Sequence, residues 1–407
     1  MKTETSILLP SAIIDLFLKD RETIEAARAL EDDWRFARVK IRVHEGDVET
    51  AIRTYTQSGS PDLVFLETDS TDESFVGRLN DLASHCNEGT SAIVIGPVND
   101  VNLYRRLTAM GVSDYLVRPV PQDILGDVIA KGLIEKLGTG GSRLIAMIGA
   151  KGGTGVSSVS QILARASSEK FEQKTLLLDA AGAWSTLGVG LGFEPLGSTA
   201  EALKAVLAKD TDSLKRMQYQ VNERFFVLAT GTEPLLETPA QIAQFEDVLN
   251  TVMANFPVVI VDLSGAVPSV KKTVLTRAHQ ITVVSTPSLP SLRSARALIQ
   301  EIKKLHGGKA ENIDLVVNME GMAPGKEVSR ADIKAALDID PLVSIPFDAK
   351  QFIGAESDGK IATDKSVSSL VDKVAPLLRA LQKKEAAADT QGGEKLISSL
   401  LGKIKKK

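Results

Sequence analysis

The chain is poor in cysteine and histidine, and these shortages argue against a disulfide-stabilised protein and against a zinc-binding protein. Its single cysteine, Cys86, leaves no second thiol with which to form an internal disulfide. The 4 histidines are scattered and do not have the spacing of a zinc site. Because neither a disulfide framework nor a zinc motif is present, we expect a reducing, cytoplasmic compartment.

Long apolar runs and a large excess of charge are also missing. No run approaches the roughly 18 apolar residues of a membrane-spanning helix, and the first residues do not have the pattern of a signal peptide. Any membrane contact is therefore expected to be peripheral. The formal net charge of −4 gives no reason to expect a general nucleic-acid binder, so we predict no nucleic-acid partner.

The length of 407 residues is too great for one ordinary core and predicts two or three domains. A stretch rich in glycine at 138–142 predicts a flexible linker. We therefore expect one domain over 1–137 and a second over 143–382. The remaining segment, 383–407, is polar and predicts a flexible tail that ends in a basic amphipathic stretch.

Short apolar runs alternate with helical patterns on both sides of the linker. This alternation predicts two α/β domains, each with a parallel sheet that helices cover on both faces. The predicted strands of the first domain are 12–18, 39–43, 63–67, 92–95 and 115–117. Those of the second are 144–148, 175–179, 225–228, 258–262, 281–285, 315–318 and 342–345.

A glycine-rich loop follows the predicted strand 144–148 and precedes a helical segment. This is the context of a phosphate-binding loop, because glycines let backbone N–H groups converge on phosphate oxygens and the helix N-terminus adds its dipole. A strict Walker A loop would place lysine at Val156 and a hydroxyl at Ser157, and here only the hydroxyl is present. The alternative is a tight turn without a ligand. The predicted phosphate-loop residues are Lys151, Gly152, Gly153, Thr154, Gly155, Val156, Ser157 and Ser158.

The string from Lys151 to Ser158 resembles the deviant Walker A motif of the MinD/ParA ATPases, in which an early lysine reaches the phosphates across a dimer interface. The resemblance implies ATP and Mg²⁺ as ligands, with Lys151 as that lysine and a homodimer as the bound form. It implies that Ser157, Asp179 and Asp262 serve the metal and that Asn318, Pro346 and Asp348 lie beside the adenine. The family's second motif carries another aspartate where this chain has Ala181, so rapid hydrolysis is not expected.

The first domain resembles a response-regulator receiver whose phosphorylation residues have been replaced. A working receiver needs an aspartate at the end of its third strand, a hydroxyl after the fourth and a lysine before the proline of the fifth. This chain has Glu67, Gly96 and Arg118 at those positions, and Asp20 completes the degenerate site. Glu67 and Arg118 are predicted to form a permanent charge pair. The domain is therefore either a constitutive docking or dimerisation module, which we favour, or a scaffold without function.

The tail ends with apolar residues at helical spacing, bordered by lysines. This pattern, over 394–407, is typical of a helix that lies on an anionic membrane or in the groove of a partner. The alternative is a frayed, solubilising terminus. The sequence does not decide between them.

The fold class that these patterns predict is α/β, with an N-terminal flavodoxin-like receiver domain and a C-terminal doubly wound P-loop domain. This pairing resembles the TadZ/CpaE family of pilus-assembly proteins. The resemblance implies an ATP-binding localisation or scaffold factor for a Tad (Flp) pilus machine, with weak or no hydrolysis, cytoplasmic and placed at a pole or the inner membrane. Two alternatives stay open. One is an active MinD/ParA-like ATPase that positions DNA or protein cargo, and the other is a pseudo-ATPase that binds no nucleotide.

Overall fold

The computed structural model describes residues 9, 12–70, 72–87, 89–136, 142–181, 185–229, 245–308, 311–361 and 363–379. The chain divides into two compact units, Met1–Gly140 and Gly141–Lys407, and each is considered by itself. The predicted linker 138–142 spans this division, and only its last residue is described. The predicted tail, 383–407, lies outside the described residues.

The first unit contains a parallel sheet of five strands in the order β2-β1-β3-β4-β5, which is the flavodoxin-like order. Its elements are β1 (Ala12–Leu18), α1 (Arg21–Ala29), β2 (Val39–Glu45), α2 (Val48–Tyr55), β3 (Leu63–Glu67), α3 (Glu73–His85), β4 (Ser91–Gly96), α4 (Val101–Ala109), β5 (Asp114–Val117) and α5 (Gln122–Lys136). Four of these helices begin after an aspartate whose side chain accepts a backbone N–H of the first turn. Those caps are Asp20, Asp47, Asp72 and Asp100.

The central strand of this sheet, β3, is buried along its whole length. Its alternate side chains enter two apolar clusters, so that Phe65 packs with α1 and α5 on one face and Leu66 packs with α2 and α3 on the other. Helices on both faces explain why the strand reads as a continuous apolar run in the sequence. Glu67 lies at the carboxyl end of β3, and ligands bind at the carboxyl ends of the strands in such folds.

The second unit contains a sheet of eight strands in the order β13-β12-β11-β6-β10-β7-β9-β8. Its strands are β6 (Arg143–Gly149), β7 (Thr175–Asp179), β8 (Tyr219–Gln220), β9 (Phe225–Leu228), β10 (Val258–Asp262), β11 (Gln280–Ser285), β12 (Ile313–Glu320) and β13 (Val343–Pro346). The short strand β8 pairs antiparallel with β9, whereas β6, β7 and β9–β13 pair in parallel. The sequence did not predict β8, because two residues are too few to show a period.

Helices cover both faces of this sheet. In chain order they are α6 (Val156–Lys170), α7 (Leu187–Leu191), α8 (Thr199–Leu207), α9 (Thr211–Arg216), α10 (Phe245–Asn255), α11 (Pro268–Arg277), α12 (Leu289–Leu305), α13 (Arg330–Leu337), α14 (Ala349–Ser357) and α15 (368–379). Helices α8–α13 contribute to one apolar cluster, and α6, α7, α14 and α15 contribute to the other. The predicted fold class is confirmed.

The described part of the chain contains no helix that is both long enough and apolar enough to span a bilayer.

Candidate functional site

The glycine-rich loop joins β6, which ends at Gly149, to α6, which begins at Val156. Gly153 and Gly155 have φ angles of 77° and 83°, a left-handed conformation that side chains rarely adopt. A Cβ on Gly152 or Gly153 would meet nothing within 4 Å, so this part of the loop faces open space. The backbone is therefore free to approach a ligand there, as a phosphate cradle requires.

The inner side of the loop, by contrast, is tightly packed. A Cβ on Gly149 would lie 2.6 Å from Oγ1 of Thr154, and that hydroxyl donates to the carbonyl of Lys151 at 3.1 Å. The Lys151 side chain is exposed, and its Nζ lies 3.3 Å from the carbonyl oxygen of Gly152. Lys151 thus extends from the open side of the loop, while Thr154 supports the turn from within.

Val156, at the position of the usual Walker lysine, is a core residue. It is 5% exposed and packs with Val159 and Ile162 of the same helix. The sequence showed that a lysine was missing but not that its replacement is buried beneath the loop. The exchange therefore removes a cation and adds apolar packing at the start of α6.

The predicted metal residues Asp179 and Asp262 lie opposite each other at the carboxyl ends of β7 and β10. Both carboxylates are buried, and in each the Oδ1 atom accepts a nearby backbone N–H, from Ala181 at 2.9 Å and from Ser264 at 2.8 Å. In each the Oδ2 atom is buried and has no hydrogen-bond partner among the described residues. The ends of two neighbouring strands thus each carry one buried acceptor atom that is left open.

This environment changes how readily the two carboxylates ionise. Burial raises the pKa of Asp179 to about 7; the nearby Ser185 hydroxyl opposes this effect, and the charge of Asp262 adds to it. Burial also raises the pKa of Asp262, against the opposing effect of the hydroxyls of Ser157 and Ser264 nearby. Among the described residues neither carboxylate has an ion pair with a lysine or arginine, so its charge is not compensated there.

Ser157, in the first turn of α6, also belongs to this group. Its Oγ lies 2.9 Å from the Oγ of Ser264, which follows β10. Sequence reasoning did not select Ser264. The signal was present, because a hydroxyl residue stands two positions after Asp262 at the end of a buried strand.

These side chains fit a magnesium ion. Mg²⁺ prefers oxygen ligands, binds through one or two carboxylates together with substrate phosphates, and retains several waters. Asp179, Asp262 and Ser157 supply oxygen atoms only, and two of these atoms are buried without a partner in the part of the chain that the structure describes. Within the described residues no cluster of three or more histidine, cysteine, aspartate or glutamate side chains could hold a metal without such a substrate.

Ala181, which replaces a carboxylate of the related motif, is 8% exposed, and its N–H is used to orient Asp179. The residue therefore contributes its backbone to the site, and its methyl group cannot accept a proton from an attacking water. Ser158, the last residue of the predicted loop, is half-buried in α6.

The predicted adenine-side residues fall into two groups. Asn318, in β12, is 3% exposed; its Nδ2 donates to the carbonyl of Thr154 at 2.8 Å, and its Oδ1 has no partner among the described residues. It therefore contacts the glycine loop itself. Pro346 and Asp348 are exposed at the end of β13, where Asp348 caps α14 through the N–H of Gln351.

In the first unit, the degenerate receiver residues form a closed network. The buried carboxylate of Glu67 accepts the backbone N–H groups of Lys19 and Asp20 at 2.6 and 2.8 Å, and it accepts Arg118 Nη1 at 2.8 Å. Arg118 also pairs with Asp69 at 2.6 Å, and this contact holds the pKa of the Asp69 carboxyl below its usual range. The Asp20 side chain caps α1 instead of pointing to a ligand.

Gly96, at the end of β4, lies against the ring of Tyr115. A Cβ on Gly96 would lie 2.1 Å from the Tyr115 hydroxyl, which donates to the carbonyl of Val98 at 2.7 Å. The space of a hydroxyl-bearing side chain is thus filled by a tyrosine, a contact that the sequence did not indicate.

Comparison with known proteins supports the class that this geometry defines. Residues 142–316 match the AAA domain family. A septum site-determining protein MinD of Emiliania huxleyi is 27% identical over 233 residues, which are 56% of this chain and 82% of that protein. A ParA family ATPase of Chlorobium tepidum, at 20% identity and a TM-score of 0.50, covers 57% of this chain and 98% of its own, and shows the fold. The second unit thus has the fold of the MinD/ParA-like P-loop domains.

Two further solved structures identify the family. A CpaE2 pilus assembly protein of Sinorhizobium meliloti is 38% identical over 29% of this chain and 98% of its own, with a TM-score of 0.28. The pilus assembly protein CpaE of Caulobacter crescentus is 32% identical over 31% of this chain and 95% of its own, with a TM-score of 0.29. On the strength of the sequence identity, this chain belongs to the TadZ/CpaE type of MinD-like ATPases.

Proposed function

We propose that the second unit binds ATP with Mg²⁺ at the carboxyl ends of its central strands. The observation that carries the proposal is the pair of Oδ2 atoms of Asp179 and Asp262, which are buried and have no hydrogen-bond partner in the described part of the chain. An unpaired buried carboxylate is unfavourable, and a divalent cation would remove that cost. Bound Mg²⁺ would supply positive charge for the phosphates, while the chain's own residues hold the cation and the loop.

Recognition of the base is supported by the orientation of Asn318. Because its Nδ2 donates to the glycine loop, its Oδ1 remains as an acceptor. An acceptor there would receive the amino group of adenine, and it would repel the carbonyl that guanine carries at the same position. Pro346 and Asp348, exposed at the end of β13, are placed on this side of the site in the proposal.

Slow or absent hydrolysis is the second part of the proposal. Val156 is buried in the core and offers no cation to the phosphates, and Ala181 offers no carboxylate to orient water. Both groups normally act on the transition state of phosphoryl transfer, so their loss affects turnover more than occupancy. The bound nucleotide then acts as a long-lived clamp.

We further propose that nucleotide joins two copies of the chain, with the exposed Lys151 of each reaching the phosphates held by the other. Binding that is possible only in the dimer stabilises the dimer by linkage. Such an assembly would serve as a localisation scaffold for a Tad (Flp) pilus machine, in keeping with the pilus assembly function named for the CpaE relatives. A cytoplasmic position at a pole or the inner membrane would follow.

The receiver-like unit would serve this scaffold as a constitutive docking module. The carboxylate of Glu67 is already saturated by backbone N–H groups and Arg118, so this strand end offers no open carboxylate for phosphoryl chemistry.

Peripheral membrane contact through 394–407 is a separate proposal. Liposome co-sedimentation of the whole chain, compared with a chain ending before Glu394, tests it; equal binding of both would remove it.

The test of nucleotide binding is equilibrium titration with a fluorescent ATP analogue, with and without Mg²⁺. We expect Mg²⁺-dependent binding, dimerisation in sedimentation velocity and turnover far below that of an ordinary ATPase. Lys151→Ala should weaken dimerisation, whereas Lys204→Ala, which removes an exposed lysine from α8, should not. No binding at millimolar Mg-ATP would favour the pseudo-ATPase, and fast turnover abolished by Lys151→Ala would contradict the slow scaffold.

One feature favours the second candidate function, an ATPase that positions DNA or other cargo. Helix α12 carries Arg293, Arg296, Lys303 and Lys304 at helical spacing, with Arg293, Arg296 and Lys304 exposed. A cationic stripe of this kind attracts phosphate backbones. Salt-sensitive DNA binding that needs ATP and is lost in Arg293→Glu/Arg296→Glu would support this candidate. Absence of binding at low salt would remove it.

A further inference from the structure

Ser264 touches two of the residues that the proposed function gives to the metal. Its backbone N–H donates to Asp262 Oδ1 at 2.8 Å, and its hydroxyl lies 2.9 Å from the hydroxyl of Ser157. The residue is half-buried directly after β10 and two positions beyond Asp262. One short turn thus connects the end of the strand to the first turn of α6.

The backbone contact decides which oxygen of Asp262 is open. Because Oδ1 is occupied by the N–H of Ser264, Oδ2 is the atom left without a partner. The same arrangement is found at Asp179, where Ala181 N–H occupies Oδ1 and Oδ2 stays open. The two strand ends therefore present matching acceptor atoms, but only the turn after β10 adds a hydroxyl.

The hydroxyl contact bears on how Ser157 can bind a cation. A serine hydroxyl has one proton and two lone pairs, and a metal ligand must turn a lone pair to the ion. The proton of Ser157 then needs an acceptor elsewhere, and the Oγ of Ser264 is at hydrogen-bond distance for that role. With Ser264 as acceptor, Ser157 can face the cation without leaving its own proton unpaired.

We propose that Ser264 is a positioning residue of the cation site. It accepts the hydroxyl proton of Ser157, which leaves a lone pair of Ser157 Oγ available to Mg²⁺. Its backbone N–H holds Asp262 so that the open Oδ2 of Asp262 is available as well. The inference rests on the proposed function, because it concerns the same cation. Partners that orient metal ligands commonly change metal affinity by 10–100-fold when they are removed.

The experiment titrates Mg²⁺ at a fixed concentration of fluorescent ATP analogue and compares the wild-type chain with Ser264→Ala. We expect the Mg²⁺ midpoint to rise about 10-fold in the variant, while residual nucleotide binding in EDTA is unchanged. Ser264→Thr, which keeps the hydroxyl, should return the midpoint to within about 3-fold of wild type. Direct titration with Mn²⁺, followed by its electron paramagnetic resonance signal, should give the same order of affinities for the wild type and the two variants.

A matched control is available in the first unit, where Ser60 and Thr90 form a hydroxyl pair of the same 2.9 Å length. Ser60→Ala should leave the Mg²⁺ midpoint unchanged. In the background of Ser157→Ala, the further change Ser264→Ala should have a smaller effect than it has alone, because the hydroxyl it serves is gone.

The outcomes separate the two claims. Mg²⁺-dependent binding by wild type with an unchanged midpoint in Ser264→Ala overturns the role of Ser264 and leaves the proposed function standing. Wild type that binds no nucleotide with Mg²⁺ overturns both. A raised midpoint that Ser264→Thr does not restore also contradicts the inference, because it shows that the shape of the turn and not its hydroxyl matters.

Discussion

The two units place acidic side chains at the same point of their sheets and treat them in opposite ways. In the first unit Glu67, at the end of the central strand, is saturated by two backbone N–H groups and by Arg118. In the second, Asp179 and Asp262 end neighbouring strands, and each leaves one buried oxygen without a partner among the described residues. The first carboxylate has its partners within the described chain, whereas the second pair leaves two buried acceptors open there, which is why a cation is proposed for it.

This difference teaches how a ligand site is lost or kept in such a fold. The carboxyl ends of parallel strands gather polar groups whether or not a ligand is used. Where a strand-end carboxylate takes no ligand, a side chain of the protein can supply the compensating charge, as Arg118 does for Glu67. Where it takes a cation, as we propose for the second unit, the free chain must leave that charge uncompensated, which costs stability.

The largest effect is expected for Glu67→Gln. The amide must turn its NH₂ group towards either the backbone N–H donors or Arg118, so at least one contact becomes donor against donor. We expect the first unit to lose about 3 kcal/mol of unfolding free energy. Urea unfolding followed by the fluorescence of Trp34, with Trp184→Phe as the background, measures it.

Glu45→Gln is the matched control, because Glu45 is exposed and its ion pair with Arg28 is a long surface contact of 3.8 Å. Its effect should remain within about 0.5 kcal/mol. Equal losses in both variants would show that Glu67 is not held more tightly than a surface carboxylate.

Gly96→Ala tests how completely the first site is closed. The added Cβ would lie 2.1 Å from the Tyr115 hydroxyl, so the ring must move and lose its bond to the Val98 carbonyl. We expect a loss of about 2 kcal/mol, measured as above. Tyr115→Ala combined with Gly96→Ala should cost less than the sum of the two single changes. Additive losses would mean that the two side chains do not compete for the space.

His279 shows a third way to bury a polar group, namely without charge. Its Nδ1 accepts the N–H of Leu144 at 3.0 Å, and burial, with Arg143 and Arg277 nearby, lowers its pKa to about 3. Between about pH 6.5 and pH 3 the unfolded chain therefore binds a proton at His279 that the folded chain does not. The contribution of His279 to the unfolding free energy is therefore complete above pH 6.5 and is lost as the pH falls.

A pKa shift from 6.5 to about 3 corresponds to at most about 5 kcal/mol. Because residue 279 is only half-buried, we expect the second unit to lose a smaller amount from His279 over this range, about 1–2 kcal/mol. His279→Asn, whose oxygen can accept the same N–H, should flatten that part of the profile. Denaturation at several pH values, followed by hydrogen exchange of peptides from 142–181, measures it. An unchanged slope in the variant would assign the pH dependence to other groups.

The smallest effect, and one of opposite sign to that of Glu67→Gln, is expected for Asp262→Asn. The change removes a buried carboxylate that has no cationic partner among the described residues, so unfolding free energy without Mg²⁺ should stay equal or rise by about 1 kcal/mol. Mg²⁺-dependent nucleotide binding should be lost. The exposed Asp247→Asn is the control for both measurements. A large loss of stability in Asp262→Asn would mean that the second site is as self-sufficient as the first.

The sequence was sufficient for features that depend on local pattern. The strands of both sheets except β8, the glycine loop and the strand-end residues Glu67, Asp179 and Asp262 were predicted, because apolar runs and glycine spacing are local signals. The fold class and the family relation followed from the order of these motifs and are confirmed.

Contacts between distant segments were not predictable in the same way. Nothing near Gly96 in the sequence shows that Tyr115 fills its space, and nothing near Ser157 indicates Ser264, 107 positions away. The contact of Asn318 with Thr154 crosses 164 positions and joins β12 to the loop after β6, a strand that is not its neighbour in the sheet. Such contacts are set by packing in three dimensions, so a single sequence does not contain them in readable form.

The packing of Tyr115 against Gly96 also has an evolutionary consequence. A descendant of this chain that regained a hydroxyl residue at position 96 would first collide with the tyrosine, and one that regained an aspartate at position 67 would shorten the side chain that Arg118 and two N–H groups now hold. Each single step towards the side chains of a working receiver would therefore meet a clash or lose contacts before the other steps could compensate. If the unit acts as the docking module proposed above, these contacts would hold it in one state.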